Sequence, residues 1–300
     1  MAKVPPSMVR NGYVYGAKLI RKLPNNIVSK GVFHLGKLAP DFLTSKHDIV
    51  AKHMRRVLGN DADEKEVEKY VKEAFASYAK YWIEGAQVLT WPQDKLERAL
   101  VCEGFSNITE AVDKGQGVVV ALAHLGNWEV GGAWLARKGY PMWTVAEVLE
   151  TEGLFEFFVE QRELLGLKIL PLAKDTGTIL AKHLKEGGVV GLLCDRDIQG
   201  GGVEVEFFGE KTTLPPGPAM LAYRCKARLV TAGIYTGQAG GETGYLAVVN
   251  NPIEINFGAK LREEVNRLTQ VIAKELEGLI RRAPSEWHLF QPNWPSDSNS

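Results

Sequence analysis

Two apolar runs constrain the fold of this chain more than any other feature. Residues 117–123 and 188–194 consist of valine, leucine, alanine, glycine and cysteine, with no polar residue at alternate positions. Such runs are typical of strands that are buried on both faces, as in a parallel sheet covered by helices. The first run is followed by His124 and the second by Asp195, so both strands are predicted to end in a polar side chain.

From Ala99 onward the sequence alternates between strand and helix patterns, which predicts an α/β/α fold with a mostly parallel central sheet. Residues 99–295 form the predicted α/β core of a single domain that spans residues 1–300, and residues 296–300 are expected to be a disordered tail. The predicted strands are 99–103, 117–123, 142–147, 168–171, 188–194, 203–207, 228–235 and 244–249. The predicted helices are 106–114, 127–138, 151–165, 176–186, 217–226 and 258–282.

The amino-terminal part of the chain is helical in pattern and strongly basic. Residues 1–56 carry 11 Lys or Arg and two acidic residues, a net charge of +9, which the rest of the chain balances with −9. We expect residues 1–60 to form a basic amphipathic helical layer that faces a membrane. Charge alone also allows nucleic acid, or a solvated face on helices that pack against the protein's own core. The predicted helices here are 7–22, 27–38, 45–58 and 64–90.

Several classes of protein are disfavoured by what the sequence lacks. Cys102, Cys194 and Cys225 show neither a disulfide framework nor a metal-binding spacing, which favours reduced thiols in the cytoplasm. We find no secretory signal and no apolar run long enough to span a membrane. There is also no nucleophile elbow, no H-E-x-x-H zinc motif, no P-loop and no dinucleotide-binding fingerprint.

His124 is the strongest candidate for chemistry, since a histidine at a strand end can take a proton near neutral pH. Two carboxylates are candidates to orient its ring: Glu129, after the strand-to-helix turn, and Asp195, at the end of the second apolar run. In the turn itself, Gly126 and Asn127 are candidates for substrate binding. Backbone N–H groups near Gly126 are candidate donors to a developing oxyanion.

Other charged and aromatic residues are candidates of lower specificity. Arg196 follows Asp195 and is expected to face an anionic substrate, although a loop salt bridge is the alternative. Glu147, after the third strand, and Arg162, on the next helix, are further candidates for substrate binding. Phe207 and Phe208 are either core residues or the wall of an acyl slot. The remaining histidines are interpreted as structural or exposed; they are His34, His47, His53, His183 and His288.

Four blocks in order along the chain resemble the lipid A biosynthesis acyltransferase superfamily, and most closely its actinobacterial phosphatidylinositol mannoside acyltransferases. The similarity covers roughly residues 5–295, and the ordered set of blocks is more specific than any one of them. The blocks are residues 124–129 (His-Leu-Gly-Asn-Trp-Glu), 195–197 (Asp-Arg-Asp), 205–209 (Val-Glu-Phe-Phe-Gly) and 216–219 (Pro-Gly-Pro-Ala).

This resemblance implies transfer of a long acyl chain, typically palmitoyl, from acyl-CoA to a mannose hydroxyl of a phosphatidylinositol mannoside. The family's catalytic histidine falls on His124, the acid of its H-x-x-x-x-acid motif on Glu129, and its later acid on Asp195. The family's charged pocket residues fall on the three remaining candidates, Glu147, Arg162 and Arg196.

The resemblance also implies partners and a location. The expected co-substrates are acyl-CoA and a mannosylated phosphoinositide, with no further cofactor and no metal. The expected location is the anionic cytoplasmic face of the cell membrane, where the protein binds peripherally. No nucleic acid partner is expected. Three rival functions stay open on the sequence: a lipid A-type acyltransferase that uses an acyl-carrier protein, an acyl-CoA thioesterase, and a lipid-binding protein without catalysis.

Overall fold

A seven-stranded, mostly parallel sheet is the centre of the protein in its computed structural model. The structure describes residues 6–22, 25–59, 61–148, 151, 153–237 and 244–298. The sheet order is β1-β9-β8-β2-β5-β3-β4. Its strands are β1 (Leu100–Glu103), β2 (Val118–Leu122), β3 (Met142–Ala146), β4 (Lys168–Pro171), β5 (Val189–Leu193), β8 (Arg228–Thr236) and β9 (Tyr245–Val249).

The two apolar runs form β2 and β5, which are hydrogen-bonded neighbours in parallel near the middle of this sheet. All five residues of β2 are buried, as expected for a strand that helices cover on both faces. Strands β8, β2, β5, β3 and β4 run in one direction, while β9 pairs with β8 in antiparallel and with β1 in parallel. The predicted α/β class and mostly parallel sheet are therefore confirmed.

Helices cover both faces of the sheet and divide the buried apolar residues into two clusters. Helices α3, α4, α9, α10 and α11 contribute to the cluster on one face. The second cluster contains residues from α5, α6, α7 and the carboxyl-terminal half of α4. The helices are α1 (Pro6–Ile20), α2 (Asn25–Gly36), α3 (Thr44–Leu58), α4 (Glu64–Val88), α5 (Gln93–Ala99), α6 (Ser106–Val112), α7 (Trp128–Arg137), α8 (Leu154–Leu164), α9 (Thr176–Lys185), α10 (Gly217–Cys225) and α11 (Leu261–Arg282).

The structure corrects the sequence predictions at two places in the core region. Strand β6 (Val203–Phe207) does not join the central sheet; it pairs in antiparallel with β7 (Glu210–Leu214), which the sequence analysis did not predict. A tight turn at Phe208 and Gly209 joins the two strands, and both residues have positive φ. Helix α5 was also missed, because its seven residues are too few for a clear helical period.

The predicted disordered tail is wrong for residues 296–298, which belong to a short 3-10 helix, Pro295–Ser298. Asp297 is buried and accepts hydrogen bonds from the backbone N–H groups of Asn293 (2.9 Å) and Trp294 (3.1 Å). It also lies 3.3 Å from Nε2 of the buried His53 on α3. These polar contacts hold the carboxyl-terminal residues against the core. The polar composition of residues 296–300 gives no sign of them, because the contacts depend on residues elsewhere in the fold. The last two residues of the predicted tail lie outside the described residues.

The basic amino-terminal segment folds into helices α1, α2 and α3. Tyr13 on α1 packs against Trp82 of α4 and Phe158 of α8, with ring centroids 6.2 and 5.6 Å apart. Apolar side chains that remain exposed in this segment include Tyr15, Leu19 and Phe42, the last of which is 83% exposed. Among the described residues, no helix combines the length and apolar character needed to cross a membrane.

Candidate active site

The pairing of β2 with β5 brings His124 and Asp195 together. Leu122 is the register partner of Leu193, so the residues two positions further along each strand also lie opposite one another. Nδ1 of His124 lies 2.7 Å from Oδ1 of Asp195, and the backbone N–H of His124 donates to Oδ2 at 3.1 Å. One carboxylate thus holds both the ring and the backbone of the histidine.

Asp195 is completely buried, and its carboxylate is nevertheless stabilised in the ionised form. Burial by itself raises the pKa of Asp195, but His124 and the indole N–H of Trp287 favour the charged carboxylate and lower the pKa to about 2. A carboxylate can only accept hydrogen bonds, so Nδ1 of His124 carries the proton in the neutral ring.

This tautomer leaves the lone pair of His124 on Nε2. The side chain of His124 is 26% exposed, and Nε2 has no hydrogen-bond partner within the part of the chain that the structure describes. An imidazole whose Nδ1–H is held by a buried carboxylate and whose Nε2 is open can accept a proton from a hydroxyl group. The geometry is therefore that of a general base with its orienting acid.

Glu129 lies in a different set of contacts from His124. It is on α7, where its Oε1 accepts hydrogen bonds from the Tyr81 hydroxyl (2.8 Å) and from Nε (3.0 Å) and a terminal nitrogen (2.7 Å) of Arg162. Burial acts to lower the pKa of Arg162, but Glu129 reverses this and raises it above its ordinary value. Of the two carboxylates that the sequence left open, Asp195 is the one in contact with His124.

The turn after β2 uses its own backbone N–H groups to hold its shape. Leu125 donates to Ala123 O (2.7 Å), and Gly126 donates to Glu286 O (2.8 Å). Gly126 has a φ of +60°, and a Cβ there would lie 1.8 Å from the Ile234 carbonyl oxygen. The N–H groups of His124, Leu125 and Gly126 all have acceptors within the protein, so none of the three is free to hold an oxyanion in this structure. The expectation for N–H groups near Gly126 otherwise stays a prediction.

Asn127 also has a structural role. Its Oδ1 accepts the backbone N–H of Val130 (3.3 Å) and so caps the amino terminus of α7. Its Nδ2 donates to Oε2 of Glu84 on α4 at 3.4 Å, which connects the cap to the neighbouring helix. Asn127 is buried, and these contacts keep Glu129 at a fixed place on α7.

The three charged residues of the second block have three different environments. Asp195 faces His124, whereas Asp197 accepts from the N–H groups of Gly200 (3.0 Å) and Gly202 (2.8 Å) and shapes the loop before β6. A terminal nitrogen of Arg196 lies 4.0 Å from Oε2 of Glu147. The Nε atom of Arg196 is buried and, among the described residues, has no hydrogen-bond partner. The Arg196 side chain as a whole is 23% exposed, so its guanidinium is partly accessible from solvent.

The carboxyl-terminal segment supplies site residues that the sequence analysis missed. Trp287 donates its indole N–H to Oδ2 of Asp195 (2.8 Å), and Asn293 donates its side-chain N–H to the Asp195 carbonyl oxygen (3.0 Å). His288 donates its backbone N–H to the His124 carbonyl oxygen at 2.7 Å. No strand pattern marks this segment; the only signal was a density of aromatic residues in a stretch that follows the last helix.

A largely apolar cavity of about 400 Å³ lies between α1, α4 and α8. The Glu129–Arg162 pair forms part of its wall, and Glu129 is five residues beyond His124 at the start of α7. Tyr81 links the two places, since it lines the cavity and its ring lies 5.6 Å from that of His288. The apolar and small residues that line the cavity include Met8, Gly12, Tyr13, Gly16, Ala17, Ile20, Trp82, Gly85, Ala86, Leu89, Phe157 and Phe158.

No cluster of three or more His, Cys, Asp or Glu side chains among the described residues is arranged to hold a metal ion. Phe207 and Phe208, for which the sequence allowed a core position or an acyl slot, are buried against Trp287 and Trp294. They therefore belong to the core behind Asp195.

Comparison with known proteins agrees with the resemblance seen in the sequence. Residues 5–296 match the family described as bacterial lipid A biosynthesis acyltransferase. The chain belongs to this acyltransferase family. It is 32% identical over 290 residues to the phosphatidylinositol mannoside acyltransferase of Mycolicibacterium smegmatis, a match that covers 95% of this chain and 91% of the relative. It is 36% identical over 227 residues to the phosphatidylinositol mannoside acyltransferase of Mycobacterium tuberculosis, covering 74% and 69%.

Replacing Asp195 by Asn tests the buried carboxylate in this acyltransferase. Because the folded protein lowers the pKa of Asp195 to about 2, its ionised form stabilises the fold above the ordinary carboxyl pKa and loses that effect as pH falls towards 2. We expect Asp195→Asn to lower the free energy of unfolding by about 2–3 kcal/mol at neutral pH and by much less near pH 2.5.

Urea unfolding of both proteins between pH 2.5 and pH 7 measures this difference. Asp41→Asn, at an exposed position, is the control and should give a small difference at every pH. If the difference in the free energy of unfolding between the native protein and the Asp195 variant stayed constant over this pH range, the assignment of an ionised buried carboxylate would be contradicted.

Proposed function

We propose that this acyltransferase moves a long fatty acyl group, palmitoyl by resemblance, from acyl-CoA to a mannose hydroxyl of a phosphatidylinositol mannoside. The names of the two mycobacterial relatives support the acceptor class. The observation that carries the proposal is His124, whose Nδ1 lies 2.7 Å from the buried Asp195 while Nε2 is left without a partner among the described residues.

In the proposed reaction, Nε2 of His124 accepts the proton of the sugar hydroxyl as its oxygen attacks the thioester carbonyl carbon. Collapse of the tetrahedral intermediate breaks the carbon–sulfur bond, and the protonated imidazole returns the proton to the leaving thiolate. The products are the ester and CoA with a free thiol, without an acyl-enzyme. A positioned general base of this kind typically contributes about 10²–10⁴ in rate.

Asp195 supports each proton transfer by stabilising the imidazolium ion and by fixing the ring. It remains an anion throughout, because its low pKa keeps the proton on His124. Of the candidate substrate-binding residues, Arg196 has a partly exposed guanidinium, and we propose that this group meets an oxygen of the reacting groups. Glu147 is half exposed beside it and is the nearest acidic group to hold the Arg196 side chain.

The cavity between α1, α4 and α8 is the proposed site for the acyl chain. Its lining is mainly apolar, and burying each methylene group there contributes about 0.8 kcal/mol. The Arg162–Glu129 pair lines the cavity, Glu129 is five residues beyond His124 along the chain, and both side chains are largely buried. We propose that this pair forms a rigid polar wall at the head of the chain and that Glu129 does not take part in proton transfer.

The amino-terminal helices are the proposed membrane-facing layer, and the cytoplasmic face of the membrane is the proposed location. Residues 1–56 carry a net charge of +9, which suits an anionic lipid surface. Exposed apolar side chains accompany the basic ones, as expected for a helix that lies in the interface. The side chains that support this orientation are Met8, Tyr15, Leu19, Leu35, Leu38, Phe42 and Leu43.

A product assay tests the function directly. Palmitoyl-CoA and a mannosylated phosphoinositide should yield one acylated glycolipid per CoA released, as resolved by mass spectrometry. We expect His124→Ala to lower the transfer rate by at least about 10³-fold while the thermal unfolding temperature stays close to the native value. His47→Ala, a surface histidine on α3, should retain the activity.

Other outcomes of the same assay separate the rival functions. Transfer from an acyl-carrier protein but not from acyl-CoA would replace the proposed donor. Release of CoA at a rate that the acceptor does not change would indicate a thioesterase, and binding without any release would indicate a lipid-binding protein. Full transfer activity in His124→Ala would remove the histidine from its proposed role.

Gly16→Leu tests the acyl site. Gly16 lines the cavity on α1, and a Cβ there meets no atom within 4 Å, so a larger side chain can be added to the cavity lining without a clash at its Cβ. We expect kcat/KM for palmitoyl-CoA to fall about tenfold relative to a lauroyl donor, because the filled cavity favours the shorter chain. Gly31→Leu on α2 is the matched control, since its Cβ is equally unobstructed but lies outside the cavity. An unchanged ratio of the two donors in Gly16→Leu would exclude this cavity as the acyl site.

Vesicle sedimentation tests the membrane-facing layer. We expect the protein to sediment with vesicles that contain anionic phospholipid at low salt, and less as salt screens the basic helices. Phe42→Ser should weaken this binding several-fold, whereas Phe257→Ser, at an exposed apolar position after β9, should not. Equal effects of the two substitutions would contradict the proposed orientation.

A further inference from the structure

The Asp195 carboxylate receives three hydrogen bonds, and one comes from a residue outside the four sequence blocks that carry the family resemblance. Oδ1 faces Nδ1 of His124 at 2.7 Å, while Oδ2 accepts both the His124 backbone N–H (3.1 Å) and the Trp287 indole N–H (2.8 Å). The indole is a donor only and has a single N–H, so this bond fixes one oxygen of the carboxylate. The other oxygen is thereby turned towards the histidine ring.

Trp287 is itself held rigidly in place. Its side chain is 1% exposed and packs against Phe208 and His53, with ring centroids 5.7 and 5.6 Å apart. Its backbone forms an isolated antiparallel bridge with Leu125, in the turn that carries His124. The two hydrogen bonds that flank this bridge run from Gly126 N to Glu286 O and from His288 N to His124 O.

We propose that Trp287 is a positioning residue for the acyl transfer, because its indole N–H orients the Asp195 carboxylate. The same hydrogen bond makes the carboxylate less basic, and Trp287 thereby influences the protonation of His124 through Asp195. This inference rests on the proposed function, in which His124 is the base. Trp287 does not line the acyl cavity, so it acts through Asp195 and not through substrate binding.

The other ionisable groups that face the pair are His288, Cys194 and Arg196. Burial and the nearby His124 lower the pKa of His288 to about 3, and burial raises the pKa of the Cys194 thiol far above its usual range. Both therefore stay neutral around neutral pH. The acid limb of a pH–rate profile therefore reports the protonation of His124.

Trp287→Phe is the test, since it keeps an aromatic ring in the core and removes the N–H donor. The Asp195 carboxylate then becomes more basic and attracts a proton on the neighbouring imidazole more strongly. We expect the acid limb of kcat/KM to move to higher pH by about half a unit or more, and kcat on the plateau to fall about tenfold through loss of orientation. The KM for the acyl donor should change little.

Trp294→Phe is the matched control. Trp294 is 2% exposed, belongs to the same aromatic cluster, and donates its indole N–H to the Phe207 carbonyl oxygen (3.2 Å) instead of to a carboxylate. It should lose comparable stability while the acid limb stays where it is in the native protein. Should Trp287→Phe fail to fold, benzothienylalanine introduced at position 287, in which sulfur replaces the indole N–H, keeps the ring shape and decides the question.

An acid limb that is unchanged in the variant at position 287, with activity reduced only in proportion to the folded fraction, would overturn the inference. Failure of the proposed function is recognised separately, because the native protein would then show no transfer that depends on His124. If transfer by the native protein depends on His124 and the acid limb shifts in the variant at position 287, both the proposed function and the role of Trp287 are supported.

Discussion

The structure depends on keeping one completely buried carboxylate ionised. Asp195 is fully buried, and a buried charge is expensive unless hydrogen bonds and an adjacent positive group compensate for it. Here the compensation comes from two other parts of the chain: the strand end that carries His124 and the carboxyl-terminal segment with Trp287. The position of His124 therefore depends on both segments closing around this carboxylate.

A second buried ion pair, Glu129 with Arg162, lies nearby and has a different character. Asn127 caps the helix that carries Glu129, and the Tyr81 hydroxyl adds a further donor to its carboxylate. Arg162 satisfies this carboxylate through two nitrogens, so little of its charge remains to attract a proton from a base. Through these contacts the pair connects α4, α7 and α8 at the wall of the cavity, apart from the contacts of His124 with Asp195.

Much of the fold was accessible from local patterns. The apolar runs that became β2 and β5 carry the hydrophobic signal of buried strands, and the residues that follow them are the site. The β6–β7 hairpin and the fastened end of the chain were not accessible, because each is stabilised by distant partners. Asp297, for example, is held by the neighbouring Asn293 but also by His53, which is 244 residues away. The family resemblance was confirmed, whereas the single-domain boundaries and the roles of the site residues remain predictions.

The sequence by itself determined the class of fold, the family and the position of His124 and Asp195 at two strand ends, because hydrophobic periodicity and ordered motifs are local properties. Only the tertiary structure decided which carboxylate serves the histidine. Glu129 is five residues from His124 and Asp195 is 71 away, yet parallel pairing of β2 with β5 places the distant one at hydrogen-bond distance. The tertiary structure also decided that Trp287 donates a hydrogen bond to Asp195 and that the N–H groups of the Gly126 turn already have acceptors within the protein. Hydrogen bonds between remote segments leave no trace in the spacing of residues along a chain.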